Sequence, residues 1–289
     1  MFCVYTIICS EQKLRQPWTA DHKKVRGIST LEKRKVAVIT GATRGIGNAI
    51  ASRLAADGFA IAACGTMSSE SAAKRLKAVK EKTDFLYVTA DMSRQEDREN
   101  LISAAVDRFG RIDALINNAG VGSVKQENIL DVSEESLDRV MEINLKGYLF
   151  TAQLAAKQMI RQVQEEPEGD RPVIINMSSI SAYTLSLMRG EYCMSKAAIT
   201  MLTKLLAFAL ADHEINVYEI RPGNILSDMT LPVKEKFDRY IADGLHPLRR
   251  WGTGEDVAKA VSAICKGYLP YTTGSAIDVD GGFHMKWID

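Results

Sequence analysis

The sequence predicts an α/β fold, a single domain built on one doubly wound parallel sheet of about seven strands with helices on both faces. Three observations lead there. Short β-branched apolar runs alternate with longer stretches at helical spacing almost to the C-terminus. A glycine-rich turn, Thr40-Gly41-Ala42-Thr43-Arg44-Gly45-Ile46-Gly47, joins the first run to the first helical stretch. No Gly-, Ser- or Pro-rich linker and no internal repeat divides residues 35–289. Alternation of this kind demands crossover connections, which are right-handed and cover both faces of a parallel sheet.

Residues 35–40 (KVAVIT) form the first buried strand, and 45–57 a helix with Ile46, Ala49, Ile50 and Leu54 on one stripe. Residues 59–64 read as a strand, 70–82 as a helix and 85–89 as a third strand. A helix over 94–109 takes Ser93 as its N-cap. Residues 112–117 are a fourth strand, and 133–164 are helical with a loop near Asn144. Residues 173–177 are a fifth strand, followed by a long helix over 192–213 and strands at 215–220 and 276–279. The stretch 226–250 lacks a strand pattern and is expected to be a lid over a ligand crevice, since long loops in compact domains are usually functional. Residues 1–34 read as a flexible N-terminal extension. Their charges follow the apolar stretch 2–8 rather than precede it, which is the wrong order for a secretory signal.

The composition narrows the function classes. The 289 residues are 46% hydrophobic and 25% charged, too apolar for a disordered chain. Lys plus Arg number 37 and Asp plus Glu 36, so the formal net charge of +1 exerts no general pull toward nucleic acid or an anionic membrane. No apolar run approaches the roughly 18–20 residues needed to cross a bilayer. Five cysteines show no Cys-x-x-Cys spacing, and the four histidines lie far apart. That argues against a disulfide scaffold and a zinc site, and for a reducing, cytoplasmic setting.

The glycine turn carries the first chemical signal. Gly41, Gly45 and Gly47 let backbone approach a pyrophosphate at a helix N-terminus, where unpaired N–H groups and the helix dipole favour an anion. Sites for NAD usually carry an acid at the end of the second strand to hold the ribose. Here that end reads Ala62-Ala63-Cys64-Gly65-Thr66, without one. Arg44 can instead pair with a 2′-phosphate and Thr66 can donate a hydroxyl to it, so NADP(H) is favoured over NAD(H).

Tyr192-Cys193-Met194-Ser195-Lys196 opens the long helix. Residues four apart share a helix face, so Tyr192 and Lys196 project together. A phenol titrating near 10 is a poor proton shuttle at neutral pH, and an adjacent ammonium is expected to lower that value. Ser178 and Ser179 end the fifth strand, beside the crevice of an open α/β sheet, where a hydroxyl can meet a carbonyl oxygen.

Together these residues resemble the short-chain dehydrogenase/reductase family, from residue 35 to the C-terminus. The loop matches the family's TGxxxGxG, Asn117-Asn118-Ala119-Gly120 its NNAG, and Asp280-Gly281-Gly282 its terminal DGG. The resemblance implies a Rossmann-like fold and a catalytic set of Asn144, Ser179, Tyr192 and Lys196. It also implies cofactor contacts from Gly41, Thr43, Arg44, Gly45, Ile46, Gly47, Thr66, Asp91, Met92, Asn118, Ala119, Gly120, Tyr192, Lys196, Pro222, Gly223 and Ile225. In its mechanism a nicotinamide exchanges hydride with a carbonyl or secondary alcohol. Tyr192 is the proton donor, Lys196 holds the nicotinamide ribose, and Asn144 holds a water linked to Lys196.

The likeness is greatest to 3-oxoacyl-[acyl-carrier-protein] reductases, through TGATRGIG and the segment 221–230. An acyl-carrier partner is nonetheless disfavoured. One basic docking position holds Phe208, the other corresponds to Lys157, and residues 165–170 (EEPEGD) add acid nearby. A sugar or polyol dehydrogenase on the same scaffold is the alternative, and a non-catalytic NADPH sensor a remote one. The helices 133–164 and 192–213 pair between subunits in this family, which implies a homotetramer or homodimer. The second of them is apolar on more than one side and is expected to be buried on both faces.

Overall fold

The computed structural model of the protein describes residues 34–228 and 230–285. The expected N-terminal extension lies outside the described residues except for Arg34, which pairs with Asp84 at 2.7 Å.

Seven strands form one parallel sheet: β1 (Val36–Ile39), β2 (Ala60–Gly65), β3 (Phe85–Thr89), β4 (Ala114–Asn117), β5 (Val173–Met177), β6 (Asn216–Pro222) and β7 (Ala276–Val279). Their spatial order is β3-β2-β1-β4-β5-β6-β7. In register, Val38 lies opposite Ala62 and Leu115, Ile116 opposite Ile175, and Ile175 opposite Tyr218. The order reverses between β1 and β4, and at such a switch point a crevice opens beyond the carboxyl ends of the strands.

Side-chain alternation sends the two faces of the sheet to different cores. Ile39, Ile61, Ile116, Ile175 and Ile220 pack against Ile50 and Leu54 of helix α1 (Gly45–Ala56). Val38, Ala62, Leu115, Ile174 and Val217 face the opposite helices. The strands are apolar on both sides because both sides are covered.

Between β2 and β3 the expected single helix is two, α2 (Ser69–Arg75) and α3 (Lys77–Lys80). The break falls at Leu76, whose backbone leaves helical values (φ −103°, ψ 13°) while its side chain is buried. Helix α4 (Gln95–Phe109) begins one residue later than expected, and Ser93 does not cap it. The Ser93 N–H and hydroxyl both donate to Asp91 Oδ1, at 2.9 and 2.8 Å. This local turn competes with capping for the same side chain.

The long helix over 133–164 is interrupted as expected, by a π-helical turn rather than a loop. Helix α5 (Glu134–Met141) is capped by Ser133, the π turn spans Glu142–Lys146, and helix α6 (Gly147–Glu165) continues from it. Helix α7 (Gly190–Leu210) starts two residues earlier than expected, and its last stretch, Ala211–His213, is a 3₁₀ turn.

One expectation about this last helix needs correction. The segment Leu187–His213 is, by length and composition, apolar enough to cross a membrane. Within the single chain one of its faces is packed and the other is left open. Ile199, Leu202 and Ala207 are buried, whereas Met194, Met201, Leu205 and Phe208 are exposed, Phe208 by 90%. The apolar length comes from these two faces together, one of them packed against the sheet.

The region expected as an irregular lid contains a 3₁₀ turn, Leu231–Val233, and helix α8 (Lys234–Ala242). Helix α9 (Gly254–Cys265) was not anticipated. It begins with a capping box in which Thr253 and Asp256 bond each other's backbone N–H. It packs against α1, where a Cβ on Gly254 would stand 2.8 Å from Ala49 Cβ.

Candidate active site

The carboxyl ends of β1 and β4 are tied together before any ligand is considered. Thr40 Oγ1 accepts from the N–H groups of Asn118 and Ala119, both at 2.9 Å. Asn118 Nδ2 donates back to the carbonyls of Thr40 and Gly41, at 2.9 and 3.2 Å. The glycine loop sits on this clamp. Gly41 has φ +66°, and a Cβ there would stand 2.9 Å from Ala119 Cα. A Cβ on Gly47 would stand 2.3 Å from the Gly41 carbonyl oxygen. Bare backbone is therefore required for the loop to turn, and it leads into the N-terminus of α1 with no side-chain cap.

Above this loop lies a cleft of about 380 Å³. Its walls bring together Gly41, Thr43, Arg44, Gly45, Ile46, Gly47, Thr66, Asp91, Met92, Asn118, Ala119, Gly120, Tyr192, Lys196 and Pro222. Most of the residues expected at a nucleotide thus line one cavity. Gly223 and Ile225 are not on its wall. Gly223 backs onto Asp280, with a virtual Cβ 2.7 Å from Asp280 Cα, and Ile225 is buried and bridged to Gly252. Ser227 and Asp228, at the start of the expected lid, do line the cleft.

Cradle and cleft fit a dinucleotide. Unpaired backbone at a helix N-terminus suits a pyrophosphate, and Lys196 lines the same cleft. A Cβ on Gly120 would intrude there, 3.3 Å from Asn144 Oδ1 and 3.7 Å from Lys196 Nζ. Arg44 is exposed and makes no ion pair among the described residues. Thr66 is exposed at the end of β2.

At the far end, Tyr192 and Lys196 share one face of α7. Lys196 is buried, its Nζ donates to the Met177 carbonyl at 2.9 Å, and it lies 5.6 Å from the centre of the Tyr192 ring. Burial lowers the Lys196 ammonium to about 7, against an opposing pull from Glu219. Glu219 is itself buried and accepts from Arg221, Thr200 and Ser178.

The expected acidified phenol needs correction. Burial raises Tyr192 above its ordinary value, outweighing a hydrogen bond with Ser179 and the nearby Arg189, which both lower it. Lys196 does not supply the lowering because desolvation weakens its own charge. The cation that faces the ring from outside is Arg189, with its guanidinium carbon 5.4 Å from the ring centre.

Ser179 caps the short turn after β5 by accepting from Ser181 N–H at 3.1 Å, and stands within hydrogen-bonding reach of Tyr192. Asn144 lies at the π turn, fully buried. Its amide donates to Val121 O and Ser195 Oγ, and its carbonyl accepts from Val121 N–H. Asn144 thus fixes the strand-end loop that carries Gly120. The sequence reading missed Thr40, Arg189, Glu219 and Ser195. Thr40 was visible as the residue before the glycine turn; the others sit in positions whose roles depend on tertiary neighbours.

Two of the histidines meet in the fold. Far apart in sequence, His246 and His284 line one hollow beside β7, and ligand-type atoms of Asp278, Asp280 and His284 lie within 4.8 Å of one another. Asp280 is already engaged there by the N–H groups of Gly282 and His284 and by His284 Nδ1.

A family model described as short chain dehydrogenase matches residues 35–238. The chain belongs to the short-chain dehydrogenase/reductase family. Members of this family are oxidoreductases acting on CH–OH and C=O groups. Among curated members, the 2-dehydro-3-deoxy-D-gluconate 5-dehydrogenase of Dickeya dadantii is 34% identical over 251 residues, covering 86% of this chain and 95% of that one. The 3-oxoacyl-[acyl-carrier-protein] reductase of Staphylococcus aureus is 32% identical over 256 residues, covering 88% of this chain and all of the other. A solved 3-oxoacyl-[acyl-carrier protein] reductase from Brucella melitensis, in complex with NAD, superposes with a TM-score of 0.82 at 36% identity, covering 89% of this chain and 100% of that chain. This short-chain dehydrogenase/reductase therefore resembles enzymes of two substrate classes to a similar degree.

Proposed function

We propose that the protein is an NADP(H)-dependent oxidoreductase that interconverts a carbonyl and a secondary alcohol. The observation that carries this reading is the convergence of Ser179, Tyr192 and Lys196 at the end of a glycine-floored cleft. A bound nicotinamide supplies or accepts the hydride. In the reductive direction Tyr192 gives its phenol proton to the substrate oxygen, and the burial that raises it keeps it protonated until then. Ser179 orients that oxygen. Lys196 is placed to hold the nicotinamide ribose and to take part in reprotonating the phenol, aided by a value near neutrality. Asn144 positions the loop carrying Gly120, which keeps the approach to Lys196 clear.

Preference for NADP(H) is supported by Arg44 and Thr66 on the cleft wall and by the absence of an acid at the end of β2. A small carbonyl or alcohol is the substrate, with residues 226–250 as its lid. A 3-oxoacyl substrate is one candidate class and a sugar or polyol the alternative. An acyl-carrier protein is disfavoured by the exposed Phe208. The apolar stripe on α7 supports a homodimer or homotetramer, and the free thiols of Cys64, Cys193 and Cys265 suit a cytoplasmic setting.

The test is oxidation of NADPH and NADH with carbonyl panels by the wild type and Tyr192→Phe. Turnover is expected to fall about 10²–10⁴-fold in the variant with NADPH still bound. A variant that keeps most of its activity removes the role of Tyr192, and equal use of both nucleotides removes the role of Arg44.

A further inference from the structure

We propose that Arg189 is the carboxylate-binding residue of the substrate site, so that the substrate is a short oxo acid or the corresponding hydroxy acid. This rests on the reading of Tyr192 as the proton donor and names the substrate class for it.

Arg189 ends the 3₁₀ turn Leu187–Arg189 and immediately precedes α7, three residues before Tyr192. Its guanidinium carbon is 5.4 Å from the Tyr192 ring centre, and its charge is felt by the phenol. It is half-buried, yet it makes no ion pair or side-chain hydrogen bond among the described residues. Arg221, by contrast, grips Glu219, and the other arginines on the cleft wall, Arg44 and Arg139, make no contact with the Tyr192 ring among the described residues. No side chain caps α7 at this end, and its first turn carries the buried Glu191, whose Oε1 accepts from Ser136 Oγ and which makes no ion pair with Arg189 among the described residues. The chain leading up to Arg189 is apolar and open, with Leu185, Leu187 and Met188 94%, 63% and 46% exposed.

A planar fork of donors left without an ion-pair partner beside the phenol matches a carboxylate bidentately. Its distance from the phenol sets the spacing. A substrate oxygen at Tyr192 leaves room for only a few carbons before the guanidinium is reached. The phosphate on the long arm of a carrier thioester lies many bonds from its carbonyl and does not fit this spacing. Free oxo acids do.

The experiment compares matched pairs, acetoacetate with methyl acetoacetate and levulinate with methyl levulinate, in the wild type, Arg189→Gln and Arg189→Lys. The quantity read is the ratio of kcat/KM for acid over ester. A role of Arg189 in tuning the phenol moves acid and ester together and leaves that ratio alone. The expected wild-type ratio is about tenfold or more, falling to about one in Arg189→Gln and intermediate in Arg189→Lys. Equal turnover of acid and ester by the wild type overturns the proposal, as does a preference that survives in Arg189→Gln. Turnover of neutral ketones or thioesters with none of the acids overturns it too, while leaving the oxidoreductase reading intact. If no carbonyl compound of either class is turned over, that reading fails. Calorimetry of levulinate on the NADPH-loaded protein then decides the anion site, which is upheld by binding that Arg189→Gln loses and refuted by its absence. Arg189→Lys keeps the charge and the fold, so a misfolded glutamine variant does not block the comparison.

Discussion

Lys196 Nζ and Tyr148 Oη donate to the same acceptor, the carbonyl oxygen of Met177, at 2.9 and 3.1 Å. The carbonyl therefore keeps a partner when the lysine is removed. The lysine itself is a desolvated ammonium whose value falls from 10.5 to about 7 on folding. A base depressed in the folded state costs stability, because the unfolded chain binds the proton more tightly. The cost is fully present below about pH 7 and fades as pH rises toward 10.5. Lys196→Met is expected to abolish turnover and yet raise the melting temperature by several degrees at pH 7, the gain shrinking toward pH 10. Calorimetric melts across that range check it, and an equal loss of stability at every pH would show the ammonium to be stabilising.

Asn144→Ala removes three hydrogen bonds at once and leaves the N–H and carbonyl of Val121 without side-chain partners. Each such group costs about 1–3 kcal/mol when buried. We expect a loss of about 2–5 kcal/mol in urea titrations, together with lost nucleotide affinity through the displaced Gly120 loop. Affinity retained in a destabilised protein would separate the loop from the cleft.

Thr253→Ala deletes one half of the capping box of α9. The expected cost is about 1 kcal/mol, or roughly 2–4 °C in melting temperature, with NADPH binding unaltered. Asp256, the other half, is held well below the usual carboxylate range, chiefly by Arg250. A depressed acid contributes stability that is present above its unfolded value and lost as pH falls below it. The destabilisation by Asp256→Asn is therefore expected to be full at pH 7 and to shrink progressively as pH falls below about 4.

His246 is 1% exposed, shares a hydrogen bond with Asn224, and is lowered by burial. Its depressed value makes the fold weaken as pH falls below about 6.5, where the unfolded imidazole takes up a proton first. His246→Gln should flatten melting temperature between pH 7 and 5. An unaltered acid limb would place that sensitivity elsewhere.

The sheet was legible because its strands are covered on both sides. Runs such as VAVI and VIINM carry no polar residue to blur the pattern, apart from Asn176, which bonds Asn117 and Thr203 inside the core. The Tyr192–Lys196 pair was legible because helical spacing alone puts both on one face. What sequence could not supply was electrostatic balance. Whether Lys196 acidifies Tyr192 depends on how deeply each is buried, and burial is a property of the whole packing. Helix α9 went unread although Thr253-Gly-Glu-Asp256 announces its start. Ser93 misled because two short-range partners compete for its hydroxyl, and the chain chose Asp91.

The wide turn Glu142–Lys146 has an effect that reaches beyond Asn144. One surplus residue within a helix rotates everything downstream by about 100° relative to an uninterrupted spiral. Without that offset, the inward sides of α5 (Ser136, Val140) and α6 (Tyr148, Thr151, Ala155, Met159) would point in different directions. Deleting any single position between 142 and 146 would restore regular pitch and swing either the amide or the core out of alignment. Substitutions there are far easier to absorb, so what natural variation must conserve in this segment is its length.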